Sequence, residues 1–144
     1  DVVERYKMGE NIIVDATYMG GKTTNTLEID DELEPGKTLS VGFMYSDFSL
    51  NEVIRNNGEA EVEKEFRLYT NEGYGIAMPD LVEGNRVIMA IAKPTEGTPN
   101  EECYLWNDVS MFIIKSDGTI FSGMVEDDHY TGYKKEDFIK LITE

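Results

Sequence analysis

A chain of 144 residues is the length of one domain. It can bury roughly two-thirds of the surface its unfolded form exposes, so a core can form without disulfide or metal staples. Its 29 acidic and 13 basic side chains give a formal net charge of -16, and a surface of that sign repels phosphate backbones and anionic lipid, which sets nucleic acid and membrane surfaces aside as partners.

Cys103 stands alone, so no intramolecular disulfide is possible. No apolar stretch reaches the length of a membrane span, and direct insertion of the domain into a bilayer is not expected. No signal peptide is visible. The chain begins at Asp1 rather than at Met, which fits removal of an upstream segment, a secretory leader or an artificial boundary.

Residues 1–10 lack a clear period and read as a lead-in. Asn11 to Tyr18 is rich in β-branched residues, Gly20-Gly21 suits a two-residue hairpin turn, and Thr23 to Asp30 reads as the return strand. That register sets Tyr18 against Thr23 and Val14 against Leu27. Glu34-Pro35-Gly36-Lys37 is a turn with Pro and Gly in type II positions. Thr38 to Tyr45 alternates, with Leu39, Val41 and Phe43 on one face. Phe48-Ser49-Leu50-Asn51-Glu52-Val53 carries a capping box and a hydrophobic staple, predicting a short helix near residues 50–56 that stops at Asn56-Asn57-Gly58.

Glu61 to Tyr69 alternates again, with Val62, Phe66 and Leu68 on one side and Glu61, Glu63, Glu65 and Arg67 on the other, as in an edge or surface strand. Val87-Ile88-Met89-Ala90-Ile91-Ala92 is the only run of six apolar residues. A half-exposed strand alternates and this one does not, so it reads as a central strand covered on both faces. The outer parity then needs a cover. The best candidate is the stripe Phe138, Leu141 and Ile142, spaced i, i+3 and i+4 in a helix over Tyr133 to Thr143. Between them, residues 109–115 and Thr119 to Gly123 form strands joined at Asp117-Gly118, with Ile114 facing Phe121. No repeat or linker divides the chain, so residues 1–144 form a single β-barrel-like domain.

Three stretches carry a family resemblance. Ile12 to Ile29 leads through an acidic segment into Pro35-Gly36-Lys37-Thr38-Leu39-Ser40-Val41. Pro79 to Ala90 places an acidic Gly-containing turn before an apolar strand. Phe112 to Phe121 surrounds Asp117-Gly118 and is followed by a closing helix, Lys134 to Ile142. In this order the chain resembles small secreted or lipid-anchored bacterial proteins with an OB-like barrel, similar to the inhibitor domain of tissue metalloprotease inhibitors. The resemblance implies an extracellular or cell-surface-anchored location, with a lipid anchor ahead of Asp1 as one possibility. Inhibitor activity does not carry over, because it depends on an N-terminal Cys held by disulfides, and this chain starts with Asp1.

Chemical motifs are sparse. Ala16 to Thr23 has relaxed phosphate-loop spacing, but the Thr23-Thr24-Asn25-Thr26 that follows favours a strand where the motif needs a helix. Gly73-Tyr74-Gly75 is a turn. His129 is the only histidine, so any Ser-His or Cys-His mechanism must use it, with Cys103 as the one thiol. No Cys/His set has zinc spacing. The acidic segments Asp30-Asp31-Glu32, with Glu28 and Glu34, and Glu126-Asp127-Asp128 lack the calcium-loop pattern and read as solvated turns. Trp106 and Tyr104, with Tyr69 and Tyr74, are the candidates to line a ligand face, against the alternative that the aromatics fill the core.

The expectation is a mainly β fold, an OB-like antiparallel barrel of five to six strands with a short internal helix and a C-terminal helix closing one end. Functionally the chain reads as a non-catalytic extracytoplasmic binding or interaction module for a protein or small-molecule ligand, without a cofactor. The absence of a paired nucleophile and base favours this over the alternative, a small hydrolase using acidic residues.

Overall fold

The computed structural model describes residues 1–58, 60–71, 78–97, 100–124 and 129–144. Six strands and two short helices follow the order α1 (Val2–Lys7), β1 (Ile12–Asp30), β2 (Thr38–Asn56), β3 (Glu65–Asn71), β4 (Arg86–Ala92), β5 (Tyr104–Ile114), β6 (Ile120–Ser122) and α2 (Lys135–Thr143). The strands share one sheet in the order β3-β2-β1-β4-β5-β6. A short parallel contact, Leu68 with Tyr104 and Tyr69 with Leu105, joins β3 to β5 and closes the hydrogen-bond ring of a small barrel. The fold is therefore mainly β, as the alternating patterns predict.

Strand periodicity sorts the apolar residues into two layers. Inside the ring lie Ile12, Val14 and Ala16 of β1, Phe48 of β2, Phe66 and Leu68 of β3, Val87, Met89 and Ile91 of β4, and Tyr104, Trp106 and Met111 of β5. The opposite parity, Ile13, Ile88, Ala90 and Phe112, forms a second core with Val2, Val3 and Tyr6 of α1 and Phe138 and Ile142 of α2. Val87 to Ile91 are thus fully buried on both faces. The helix α2 covers the outer face of this wall and does not plug one end of the barrel. Each fully buried aliphatic side chain contributes about 1.5–3 kcal/mol, so these two layers carry most of the fold.

Both halves of the 115–119 connection obey local turn chemistry. Gly118 has φ +86°, its N–H donates to the Lys115 carbonyl at 2.9 Å, and the Lys115 N–H donates to the Thr119 carbonyl at 2.8 Å. This is a three-residue loop with Gly in the left-handed position. It pairs Ile113 with Phe121 and Ile114 with Ile120, one residue off the register that a two-residue turn at Asp117-Gly118 gives. The Pro35-Gly36 turn stands as expected, with Gly36 at φ +88° and Lys37 N–H donating to the Glu34 carbonyl at 3.1 Å.

Three other expectations are corrected. Gly20-Gly21 is not a hairpin turn, because β1 continues through it for 19 residues. Both glycines have positive φ and the pairing with β2 shifts register around them. A Cβ at Gly21 would run into the Asp47 carboxylate, so the glycine leaves room for that side chain. Val14 consequently pairs with Val53 and Leu27 with Val41, not with each other. The short helix near 50–56 does not form either. Those residues finish β2, paired to β1 from Leu50 with Ala16 to Asn56 with Ile12. A helix of that length is below the size that survives alone, and the long-range ladder overrides the local capping box. Residues 1–10 are more than a lead-in: the Asp1 carboxylate accepts from Val3 N–H at 2.8 Å and caps α1.

Strand boundaries shift as well. The ladder of β3 begins at Glu65, not Glu61, and β3 sits inside the ring between β2 and β5 instead of at an edge. The strand expected from 109 begins at Tyr104. Its pairing with β4 jumps from Met89–Met111 to Ala90–Asn107, and Asp108 and Val109 take φ +63° and +54°. The extra residues reset the alternation so that Trp106 and Met111 both face inward.

Candidate binding surface

The ring uses only part of its two longest strands. Pairing of β1 with β4 runs from Ile12 to Thr17, and pairing of β2 with β3 runs from Ser49 back to Phe43. Beyond these limits β1 and β2 pair with each other alone among the described residues, from Thr26 with Gly42 to Asp30 with Thr38. They form a two-stranded arm that ends in the Asp31–Lys37 turn, where the Asp31 N–H donates to the Lys37 carbonyl at 2.9 Å.

Alternation gives the arm two faces. Leu27 and Ile29 of β1 share one face with Leu39, Val41 and Phe43 of β2, through the pairs Leu27–Val41 and Ile29–Leu39. Thr24, Thr26, Glu28 and Asp30 oppose Met44, Gly42, Ser40 and Thr38 on the other. Within the barrel the apolar parity of a strand is buried. Here Ile29 is 40% and Leu39 48% exposed, and Leu33 at the turn is 91% exposed. Three of the nine large apolar residues left exposed among the described residues therefore sit at the end of this one hairpin. From Glu28 to Lys37 the arm carries five carboxylates and one lysine, and that lysine already pairs with Glu34 at 2.8 Å.

Of the aromatic residues singled out by sequence, Tyr69 lies at the root of this arm. It pairs with Tyr45 across β2–β3 and meets Phe43 edge-on with ring centroids 5.8 Å apart. Tyr69 is 9% exposed, and burial pushes its phenol pKa up. Trp106 and Tyr104 lie inside the barrel, 4% and 1% exposed. The indole Nε1–H donates to the Ser110 carbonyl at 3.0 Å and the Tyr104 hydroxyl to the Glu61 carbonyl at 2.8 Å. Their rings fill the core and present no open face. Tyr74 lies outside the described residues, as do Gly73, Gly75 and the Glu126-Asp127-Asp128 segment.

A second polar feature holds α2 to the sheet. Asp15, wholly buried on the outer face of β1, accepts from Lys135 Nζ at 2.6 Å, Arg86 Nη2 at 2.6 Å and Asn51 Nδ2 at 3.0 Å. Burial alone would raise its pKa, but the hydrogen bonds from Lys135, Asn51 and Arg86 outweigh it and hold the carboxyl below its ordinary value. Sequence reasoning missed this cluster, although one signal was present: Asp15 interrupts the apolar run between Val14 and Ala16, and a carboxylate on a covered strand needs a partner.

Burial pushes the Cys103 thiol up, the opposite of activation. His129 is exposed and stacks edge-on against Tyr130 at 4.8 Å. Ala16 to Thr23 lies within β1, so its amides form a ladder and not a phosphate cradle. Among the described residues no three His, Cys, Asp or Glu side chains converge as a metal site, and no helix is long and apolar enough to cross a membrane. No protein-family model, curated protein or solved structure matches the chain.

Proposed function

We propose that this chain is a non-catalytic extracytoplasmic interaction module, in which an OB-like barrel serves as a rigid base and the β1–β2 arm makes the contact. The observation that carries this reading is the apolar face of the arm, where, among the described residues, Ile29 and Leu39 are exposed and Leu27 and Val41 half-buried. The ring order, β1-β2-β3-β5-β4 with a parallel β3–β5 contact, supports the OB-like description, and small barrels of that kind bind through strand faces and projecting loops. The extracytoplasmic part rests on the resemblance carried by Ile12 to Val41, Pro79 to Ala90 and Phe112 to Ile142. A hydrolase working through acidic residues gains little from Asp15, which is engaged by three donors and held ionised, so it is no proton donor at neutral pH.

The test is a selection of displayed random peptides on the immobilised protein, repeated on the double variant Ile29→Thr, Leu39→Thr. Peptides enriched on the parent are expected to lose at least about tenfold in affinity on the variant, a loss of ~1.4 kcal/mol. Enriched peptides that bind both proteins equally would contradict the assignment of the contact to the arm.

A further inference from the structure

The arm offers an open edge as well as an apolar face. The Asp31 N–H bond to the Lys37 carbonyl sets the phase of the ladder: the pairs Ile29–Leu39, Leu27–Val41 and Asn25–Phe43 exchange hydrogen bonds, and the alternate residues do not. Thr24, Thr26, Glu28 and Asp30 therefore turn their backbone N–H and C=O groups away from β2. No described residue pairs with them on that side, since β4 leaves β1 at Thr17. Such an edge is a template for another strand.

On the reading that the arm is the contact surface, we propose that this edge of β1 takes up an extended segment of a partner protein in which apolar residues alternate with Lys or Arg. The chemistry of the edge selects that partner. A guest strand in register continues both faces of the arm. Its residues beside Leu27 and Ile29 meet the apolar face, and its residues opposite Glu28 and Asp30 meet carboxylates, where opposite charges stabilise a cross-strand pair. The surplus of acid over base at the tip favours the same sign of guest and speeds its encounter. A second copy of this chain brings its own net charge of -16 against the same surface, so like-charge repulsion disfavours self-pairing.

The probe is a nine-residue peptide of alternating lysine and valine, titrated into the 15N-labelled protein. The expected result is chemical-shift change and slowed hydrogen exchange at the amides of Thr24, Thr26, Glu28 and Asp30, weakened as salt rises. A peptide of alternating glutamate and valine is expected to leave the spectrum unchanged. The double variant Glu28→Lys, Asp30→Lys should reverse this preference, by about tenfold or more in each Kd. Thr26→Pro, which removes an edge N–H without touching the β2 ladder, should abolish binding with little change in melting temperature. Should Thr26→Pro fail to fold, the charge-reversal pair decides alone.

Shifts confined to other acidic regions, binding indifferent to the charge reversal, or a concentration-dependent dimer through this edge would each overturn the proposal. If the lysine–valine peptide does not bind but selected peptides still lose affinity in Ile29→Thr, Leu39→Thr, strand addition is wrong and the arm remains the contact surface. If neither effect is seen, both fall.

Discussion

The same two strands behave in opposite ways at their two ends. At the barrel end, Ile12, Val14 and Ala16 of β1 are sealed inside the ring and Ile13 lies under the helices. At the far end, Leu27 and Ile29 of β1 and Leu39 and Val41 of β2 carry the same alternation and the same β-favouring residue types, yet none is fully buried. Local propensity is equal at both ends, so it does not decide burial. What differs is flanking: β4, β3 and the helices attend one end, and no described strand attends the other beyond Phe43. Stability should therefore reside in the barrel end and recognition in the arm, and substitutions should divide along that line.

The largest effects are expected in the wall formed by β4. Ile91→Ala removes a fully buried side chain and should cost about 2–5 kcal/mol, measured by urea denaturation. Deleting the chain from Tyr133 onward uncovers Ile88, Ala90 and Phe112 and should cause aggregation, seen by light scattering. A truncated monomer melting with the parent would contradict the two-layer account.

Next comes the Asp15 cluster. Lys135→Met strips one of the two cations that lie 2.6 Å from the buried Asp15 carboxylate and should cost about 3 kcal/mol at neutral pH. The folded-state pKa of Asp15 lies below its ordinary value, so its contribution is present above the unfolded carboxylate value of about 3.9 and is lost as pH falls through the lower folded value. Parent and variant should therefore converge in stability in strong acid, by thermal melts across the pH range. A gap that stays constant down to pH ~2 would mean that Lys135 acts by packing.

A smaller loss, about 1–3 kcal/mol, is expected for Gly118→Val, since a β-branched residue resists the positive φ of this loop. The smallest belongs to the arm: Ile29→Thr and Leu39→Thr should each shift stability by no more than about 0.5 kcal/mol. A cost of several kcal/mol there would show that the face is covered after all.

Much of this division was legible in sequence. The unbroken run Val87 to Ala92 announced a strand buried twice over, and Phe138, Leu141 and Ile142 announced its cover. Phe138 and Ile142 are buried there, with Leu141 packed partly against them. Pro35-Gly36 marked its turn, and Leu39, Val41 and Phe43 marked a common face. The failures share one cause. Gly20-Gly21 and the capping box at Ser49 to Glu52 are local signals, and in both places a long-range ladder determines the conformation. Nothing local distinguishes a Gly-Gly bulge from a Gly-Gly turn. The Asp108-Val109 bulge carries no glycine to announce its positive φ. The partners of Asp15 are scattered at Asn51, Arg86 and Lys135, brought together only by the closed ring and the docked helix. Alternation showed which residues of the arm share a face, but whether that face is covered depends on where β3 and β4 stop.

The most direct measurement is to excise the arm. Residues 26–42 are replaced by Asn-Gly, a two-residue hairpin turn that joins the paired positions Asn25 and Phe43, and the thermal transition is recorded beside the parent. If the barrel end carries the fold, the shortened protein should remain a cooperative folder with a melting temperature within about 4 °C of the parent, a shift worth ~1 kcal/mol. Loss of the cooperative transition, or a fall of 15 °C or more, would contradict the account by showing that the arm is part of the core.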